Sequence, residues 1–142
     1  MPPKWTSTCI RGFGNSNSSN NGSDDDDESL EPNPADAQVL RNQKKVFITG
    51  PIDNKMAARV VAQLLVLDNA DSKQPIRVYI DSPGGSIFAT NAIAAAMLGC
   101  ASDVHTICTG SAMSGGFHLF MHGDKRFGSR SSLWLAHTAS FY

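Results

Sequence analysis

One repeated pattern constrains the fold of this chain more than any other feature: a short apolar strand, a glycine-containing turn and a helix follow one another three times. The turns begin at Gly50, Ser82 and Gly110, about thirty residues apart. Such β-α alternation is typical of an α/β domain with a largely parallel sheet. Because sites in such sheets form at the carboxyl ends of the strands, we expect the turns at 82–85 and 110–116 to meet at one edge.

The residues between the turns predict the individual elements. β-Branched and aromatic runs predict strands over 46–48, 76–80 and 104–109. Capping residues and apolar periodicity predict helices over about 53–69, 86–98 and from Ser114 to about His122. In the first helix the residues expected on the buried face are Met56, Val60, Leu64 and Leu67, with Val61 and Leu65 beside them.

The first forty residues differ sharply from the rest of the chain. Residues 1–40 carry two basic and seven acidic side chains, whereas residues 41–142 carry ten basic and six acidic ones. The Gly-, Asn- and Ser-rich segment 12–23 and the acidic run Asp24–Glu28 bury too little apolar surface to order themselves. We therefore expect a disordered acidic leader over 1–40 and one α/β domain over 41–142. An acidic docking tail and a solvated leader are both open interpretations, and the solvated leader is the favoured one.

The composition argues against several classes of protein. A net charge of -1 disfavours nucleic acid as the main partner. No apolar run is long enough to cross a bilayer, so no membrane association is expected. Three cysteines without CxxC spacing do not predict a disulfide framework, and a reducing compartment fits best. The expected localisation is cytoplasmic, with a plastid or mitochondrion as the alternative because residues 1–23 have no acid and seven Ser or Thr.

Ser114 stands where a catalytic serine could be exposed. In Gly110-Ser111-Ala112-Met113-Ser114-Gly115-Gly116, small residues surround a serine between a strand and a helix, close to the G-x-S-x-G nucleophile elbow. The free N–H groups of the following helix terminus suit an oxyanion. The alternative is an ordinary helix N-cap at Ser114.

Two other features could complete such a site. The turn Ser82-Pro83-Gly84-Gly85 could supply a second oxyanion donor or bind substrate backbone as an added strand, although it could also be a plain turn. A serine needs a base, and His137 follows a short apolar run at the same expected edge. His118 and His122 have a spacing that can bind zinc, but the Glu of the H-E-x-x-H motif is absent. We favour packing and surface roles for these two histidines and expect neither a metal site nor a cofactor.

Several of these segments together resemble a known family. The chain from about Lys44 to its end resembles the Clp protease proteolytic subunit family, ClpP, in the order and spacing of its motifs. The motifs are Phe47-Ile48-Thr49-Gly50-Pro51-Ile52, Tyr79 to Ser86, Thr106 to Gly116, Lys125-Arg126-Phe127 and His137. The resemblance implies a ClpP/crotonase fold and ATP-dependent proteolysis of unfolded polypeptide in stacked rings fed by an AAA+ unfoldase.

The resemblance also assigns roles to individual residues. It implies that Ser114 is the nucleophile and His137 the general base, and that the backbone N–H groups of Gly85 and Gly115 form the oxyanion hole. Substrate would lie extended along Gly84-Gly85.

The chain departs from the family pattern in three ways. The family triad ends with an aspartate downstream of the histidine, on a segment that also carries the handle helix. Because the sequence ends at Tyr142, we expect a C-terminally truncated form that lacks both. Gly115 replaces the methionine that follows the family's serine, and Met113 also departs from the family pattern. A non-catalytic ring subunit or truncated remnant is therefore the alternative to a serine endopeptidase, and a crotonase-like acyl-CoA binding protein is the less favoured third.

Overall fold

The predicted strands form a parallel sheet. A computed structural model describes residues 34–70 and 73–138, and among these the sheet has the order β1-β2-β3-β4, with β5 paired to the end of β3. Every pairing is parallel, as expected for an α/β fold of this type. The strands are β1 Lys45–Thr49, β2 Ile76–Ser82, β3 Val104–Met113, β4 Lys125–Gly128 and β5 Leu133–Leu135.

The helices begin at side chains that cap their free N–H groups. The Asp53 carboxylate accepts a hydrogen bond of 2.7 Å from the Met56 amide, and the Ser86 hydroxyl accepts one of 3.3 Å from the Ala89 amide. These caps fix the starts of the second and third helices near the predicted residues. The helices are α1 Pro34–Asn42, α2 Asn54–Ala70, α3 Ile87–Gly99 and α4 Gly115–Met121.

One face of the sheet packs against the helices and forms the core. Alternate residues of the strands, such as Val78 and Ile80, are fully buried. The predicted face of α2 is confirmed, because Met56, Val60, Leu64 and Leu67 are buried. Leu65, which was expected beside that face, is 58% exposed. The opposite face of the sheet carries partly exposed side chains from β1 to β4.

Strand β3 is longer than the sequence predicts. It was expected to end at Thr109 before a glycine turn, but it continues to Met113. The extension is stabilised on both sides: Ala112 pairs with Ser82 after a register shift in β2–β3, and residues 111–113 pair with β5. The turn is thereby confined to the step from Met113 into α4. The sequence does not predict strand β4, since Phe127 is its only hydrophobic residue and its pairing with β3 comes from the tertiary fold.

The predicted boundary between leader and domain falls inside a helix. Residues 34–42 form α1, which contacts β1, so one helix extends on both sides of residue 41. Pro34 suits a first helical position, where its missing N–H has no intrahelical acceptor. The remainder of the expected leader, residues 1–33, lies outside the described residues.

None of the helices in residues 34–70 and 73–138 is long and apolar enough to cross a membrane.

Candidate active site

Ser114 occupies a strained turn between β3 and α4. Its backbone has φ 50° and ψ -118°, a conformation that non-glycine residues rarely adopt. Such strain, typically about 1–3 kcal/mol, persists where surrounding contacts hold it. Here the Ser114 amide donates to the Leu135 carbonyl at 2.8 Å and the Ser114 carbonyl accepts from the His118 amide at 3.0 Å. Ser114 occupies the N-cap position of α4, as the N-cap alternative expects, but its side chain makes no capping hydrogen bond.

The turn at 82–85 lies directly against the turn at Ser114. A Cβ atom added to Gly84 would be 2.7 Å from the Ser114 Cβ and 2.9 Å from the Gly115 nitrogen. Only a glycine lets the two backbones approach this closely. The expectation that the two glycine-rich turns meet at one sheet edge is therefore confirmed for Gly84.

Buried hydrogen bonds hold the 82–85 turn in place. The fully buried Ser82 hydroxyl donates to the Gly50 carbonyl at 2.7 Å and accepts from the Gly84 amide at 3.1 Å. Sequence reasoning missed this role of Ser82. The hydroxyl links the first and second strand ends, which fixes the position of Gly84 before Ser114.

Gly85 is held from one side by Ile52. The Ile52 amide donates to the Gly84 carbonyl at 2.9 Å, and the Ser86 amide donates to the Ile52 carbonyl at 2.8 Å. A Cβ on Gly85 would overlap the Ile52 carbonyl. Since successive peptide groups in extended backbone point to alternate sides, the Gly85 N–H points away from Ile52.

Gly115 begins α4 above a buried threonine. A Cβ added to Gly115 would be 2.5 Å from the Thr90 Oγ1 and 3.5 Å from the Ile52 Cδ1. The Thr90 hydroxyl donates to the Ser86 carbonyl at 2.8 Å, and its residue is 3% exposed. Thr90 thus fills the space that a side chain at position 115 would need. No sequence pattern pointed to this residue.

His137 follows β5, the strand that ends beside Ser114. Leu135, whose carbonyl accepts the hydrogen bond from the Ser114 amide, is only two residues before His137. The His137 ring is exposed, and its Nδ1 lies 2.7 Å from the Thr138 carbonyl oxygen. A carbonyl only accepts hydrogen bonds, so Nδ1 is the donor in this contact. The proximity of the Ser114 hydroxyl and the His137 imidazole stays a prediction.

His118 and His122 form a pair of imidazoles on α4 and its C-cap. Their ring centroids are 4.5 Å apart, and the His122 Nδ1 lies 2.8 Å from the His118 carbonyl oxygen. Burial, and then the neighbouring His122, lower the pKa of His118. Within residues 34–70 and 73–138, no group of three or more potential metal-ligating side chains occurs.

The profile of the Clp protease family matches residues 32–140, which is most of the sequence. This chain belongs to the Clp protease family. It is 43% identical over 94 residues to the ATP-dependent Clp protease proteolytic subunit of Deinococcus radiodurans, covering 66% of this chain and 45% of that protein. It is 44% identical over 87 residues to the chloroplastic ATP-dependent Clp protease proteolytic subunit 3 of Arabidopsis thaliana, covering 61% of this chain and 28% of that protein. The chain thus spans less than half the length of these relatives.

One departure of this Clp protease chain from the expected family pattern has a structural reason. The resemblance implies a methionine after the serine, where this chain has Gly115, and the side chain of Thr90 occupies the space beneath it. Glycine at 115 and threonine at 90 therefore complement each other in volume.

Proposed function

We propose that this chain is a serine-type endopeptidase subunit of an ATP-dependent Clp protease. The observation that carries the proposal is the contact between the 82–85 turn and the strained turn at Ser114, where an added Gly84 Cβ would lie 2.7 Å from the Ser114 Cβ. This contact brings a hydroxyl and two glycine backbones from distant parts of the chain to one point. Acyl transfer needs such a convergence of nucleophile and oxyanion donors.

In the proposed mechanism the Ser114 Oγ attacks a peptide carbonyl while His137 Nε2 accepts its proton. The N–H groups of Gly85 and Gly115 stabilise the tetrahedral oxyanion. His137 then protonates the leaving amine, and water hydrolyses the acyl-enzyme. Removal of one oxyanion donor in such enzymes typically lowers the rate by about two to three orders of magnitude. The orientation of the Gly85 N–H away from Ile52, and the position of Gly115 at the start of α4, support these assignments.

The Thr138 carbonyl supports the tautomer that this mechanism requires. Its contact with Nδ1 leaves Nε2 as the basic nitrogen of His137. A neutral carbonyl stabilises the imidazolium less than a carboxylate in the same place would.

A fluorophosphonate probe tests the nucleophile. The folded chain should form a covalent adduct on Ser114 that is absent in Ser114→Ala, and His137→Ala should slow labelling at least about 100-fold. Ser111→Ala is the matched control, because Ser111 lies three residues away with its hydroxyl 3.0 Å from the Asp81 carboxylate. Labelling that persists in Ser114→Ala, or that is lost equally in Ser111→Ala, would contradict the assignment.

The family supports the proposal for the substrate and the partners. An unfolded polypeptide would lie as an extended strand along Gly84-Gly85, and the chain would act in a homo- or hetero-oligomeric ring fed by an AAA+ unfoldase. Both relatives are named proteolytic subunits of an ATP-dependent Clp protease. The Arabidopsis relative is named chloroplastic, which supports the plastid alternative to a cytoplasmic location.

A non-catalytic ring subunit is the second candidate. It is favoured by the neutrality of the carbonyl beside His137 Nδ1, because a neutral partner stabilises an imidazolium less than a carboxylate does. A folded chain that the probe does not label would support this candidate. Binding of an acyl-CoA thioester without labelling would instead support the crotonase-like candidate, in which the same N–H groups hold a thioester oxygen.

A further inference from the structure

The face of the sheet that the helices leave open carries a row of four basic side chains. In the parallel register Lys45 pairs with Arg77, Arg77 with His105, and His105 with Lys125. Residues paired in this way project from the same face of a sheet. These four residues, here called the basic row, cross β1 to β4 over three interstrand spacings, or about 14 Å.

An apolar row lies beside the basic row on the same face. It consists of Phe47, Tyr79, Ile107 and Phe127, which are paired in the same register. The Phe47 and Tyr79 rings are stacked, with their centroids 5.2 Å apart, and the Lys45 ammonium lies 5.9 Å from the centroid of the Tyr79 ring. The centroids of the His105 and Phe127 rings are 5.9 Å apart. The basic side chains are therefore placed against apolar surface on one side.

The acidic residues near the row do not neutralise it. The Asp124 carboxylate accepts a hydrogen bond of 2.8 Å from the Val104 amide at the edge of the sheet, and the Asp81 carboxylate accepts from Ser111 further along the same face. Within residues 34–70 and 73–138, no carboxylate forms an ion pair with a member of the basic row. Lys45 and Arg77 are like charges on neighbouring strands, which repel each other, so a complementary acidic segment would stabilise this face.

The chain itself contains such a segment. Asp24–Glu28 is five consecutive acids, and an extended segment of that length spans about 17 Å, close to the length of the row. Six residue steps separate Glu28 from Pro34, the start of α1, which gives a reach of about 20 Å. Helix α1 is about 14 Å long, and it leads through Gln43 and Lys44 into Lys45 of the row. With α1 pointing directly away from the row, Pro34 lies at most about 24 Å from Lys45. The ten residue steps from Asp24 to Pro34 give a reach of about 33 Å, so the first acids of the segment reach the row even then.

We propose that the acidic segment Asp24–Glu28 docks on the basic row Lys45–Arg77–His105–Lys125 of the same chain. The contact is electrostatic and places the segment across the open face of the sheet. It requires no catalytic activity and so stands independently of the proposed peptidase function.

Zero-length carbodiimide cross-linking of the full chain tests this docking. The reagent joins carboxylates to amines in contact, so peptides that contain Asp24–Glu28 should couple to Lys45 and Lys125. Coupling to Lys55, on the helix that covers the opposite face, should be at least about threefold weaker. In 0.5 M NaCl, where the screening length is about 4 Å, the preference should disappear.

Two variants and an isotope mixture decide between the possible outcomes. Arg77→Glu should lower coupling to Lys45 and Lys125. Arg130→Glu makes the same charge change in the 129–132 turn, outside the row, and should leave this coupling unchanged. Circular dichroism verifies that both variants are folded. Equal coupling to all three lysines, or equal effects of the two variants, overturns the proposal.

In a mixture of ¹⁴N- and ¹⁵N-labelled protein the cross-links should join peptides of one label only. Mixed-label products would overturn docking within one chain and indicate docking on a second copy.

Discussion

Replacement of Gly84 by alanine tests the contact on which the candidate site depends. Gly84 has φ +96°, and an added Cβ would be 2.7 Å from the Ser114 Cβ and 2.9 Å from the Gly115 nitrogen. An L-residue in such a left-handed conformation costs about 1–2 kcal/mol, and forcing a methyl group into a packed site costs about 1–3 kcal/mol more. We expect Gly84→Ala to lower the free energy of unfolding by about 2–5 kcal/mol in total.

Gly50 provides a matched control in the same sheet edge. Its φ is +81°, but an added Cβ would have no atom within 4 Å. Gly50→Ala should therefore carry only the backbone term of about 1–2 kcal/mol. The difference between the two variants isolates the steric contact with Ser114.

Urea unfolding followed by circular dichroism measures both variants, and fluorophosphonate labelling below the unfolding transition reports on Ser114. For a urea dependence of about 1–3 kcal/mol per molar, the midpoint of Gly84→Ala should fall below that of Gly50→Ala by about 1 M. Labelling should be slower in Gly84→Ala alone, because its methyl group displaces the Ser114 turn. Equal midpoints and equal labelling rates in the two variants would refute the reasoning.

Two further predictions concern the surroundings of the site. Gly115→Ala should destabilise the fold by about 1–3 kcal/mol, because its Cβ would be 2.5 Å from the Thr90 Oγ1. In the double variant with Thr90→Ala, the free energy of unfolding should fall by less than the sum of the decreases in the two single variants. Strictly additive decreases in urea unfolding would contradict the predicted overlap. Asp68 should contribute stability that depends on pH. Burial raises the pKa of its carboxyl, but hydrogen bonds from the Ala101 and Ser102 amides, at 3.0 Å and 2.8 Å, lower it, and so does the charge of Lys44. The net result is a pKa below the ordinary value of 3.8. Because a lowered folded-state pKa gives stability that is present above the unfolded value and is lost as pH falls through the folded one, the stability gap between wild type and Asp68→Asn should be constant near pH 6 and shrink below about pH 4. A gap that widens in acid would contradict this sign.

The local sequence predicted most of the elements and one important feature of the site. The Asp53 and Ser86 caps and the apolar face of α2 lie where their patterns indicate, since capping and helical periodicity involve residues within four positions of one another. The small residues around Ser114 indicated a sharp strand-to-helix turn for the same reason. Each of these inferences depends on short-range geometry.

The boundaries that were predicted differently depend on partners distant in the chain. β3 continues beyond Thr109 because β5 and Ser82 offer hydrogen-bonding partners there. Nothing near residue 109 encodes this extension, since glycine at 110 by itself favours a turn. The pairing of β3 with β5 and Ser82 therefore outweighs the local preference of Gly110 for a turn.

The amino-acid sequence by itself determined that this chain alternates strands and helices, that Ser114 lies at a turn between them, and that the acidic and basic residues are unequally distributed. Only the tertiary structure decided that Gly84 touches Ser114, that Thr90 fills the space below Gly115 and that four basic residues form one row. The physical reason is register: which residues face one another across a sheet depends on strand pairing over about thirty residues of separation, and no local pattern fixes that alignment.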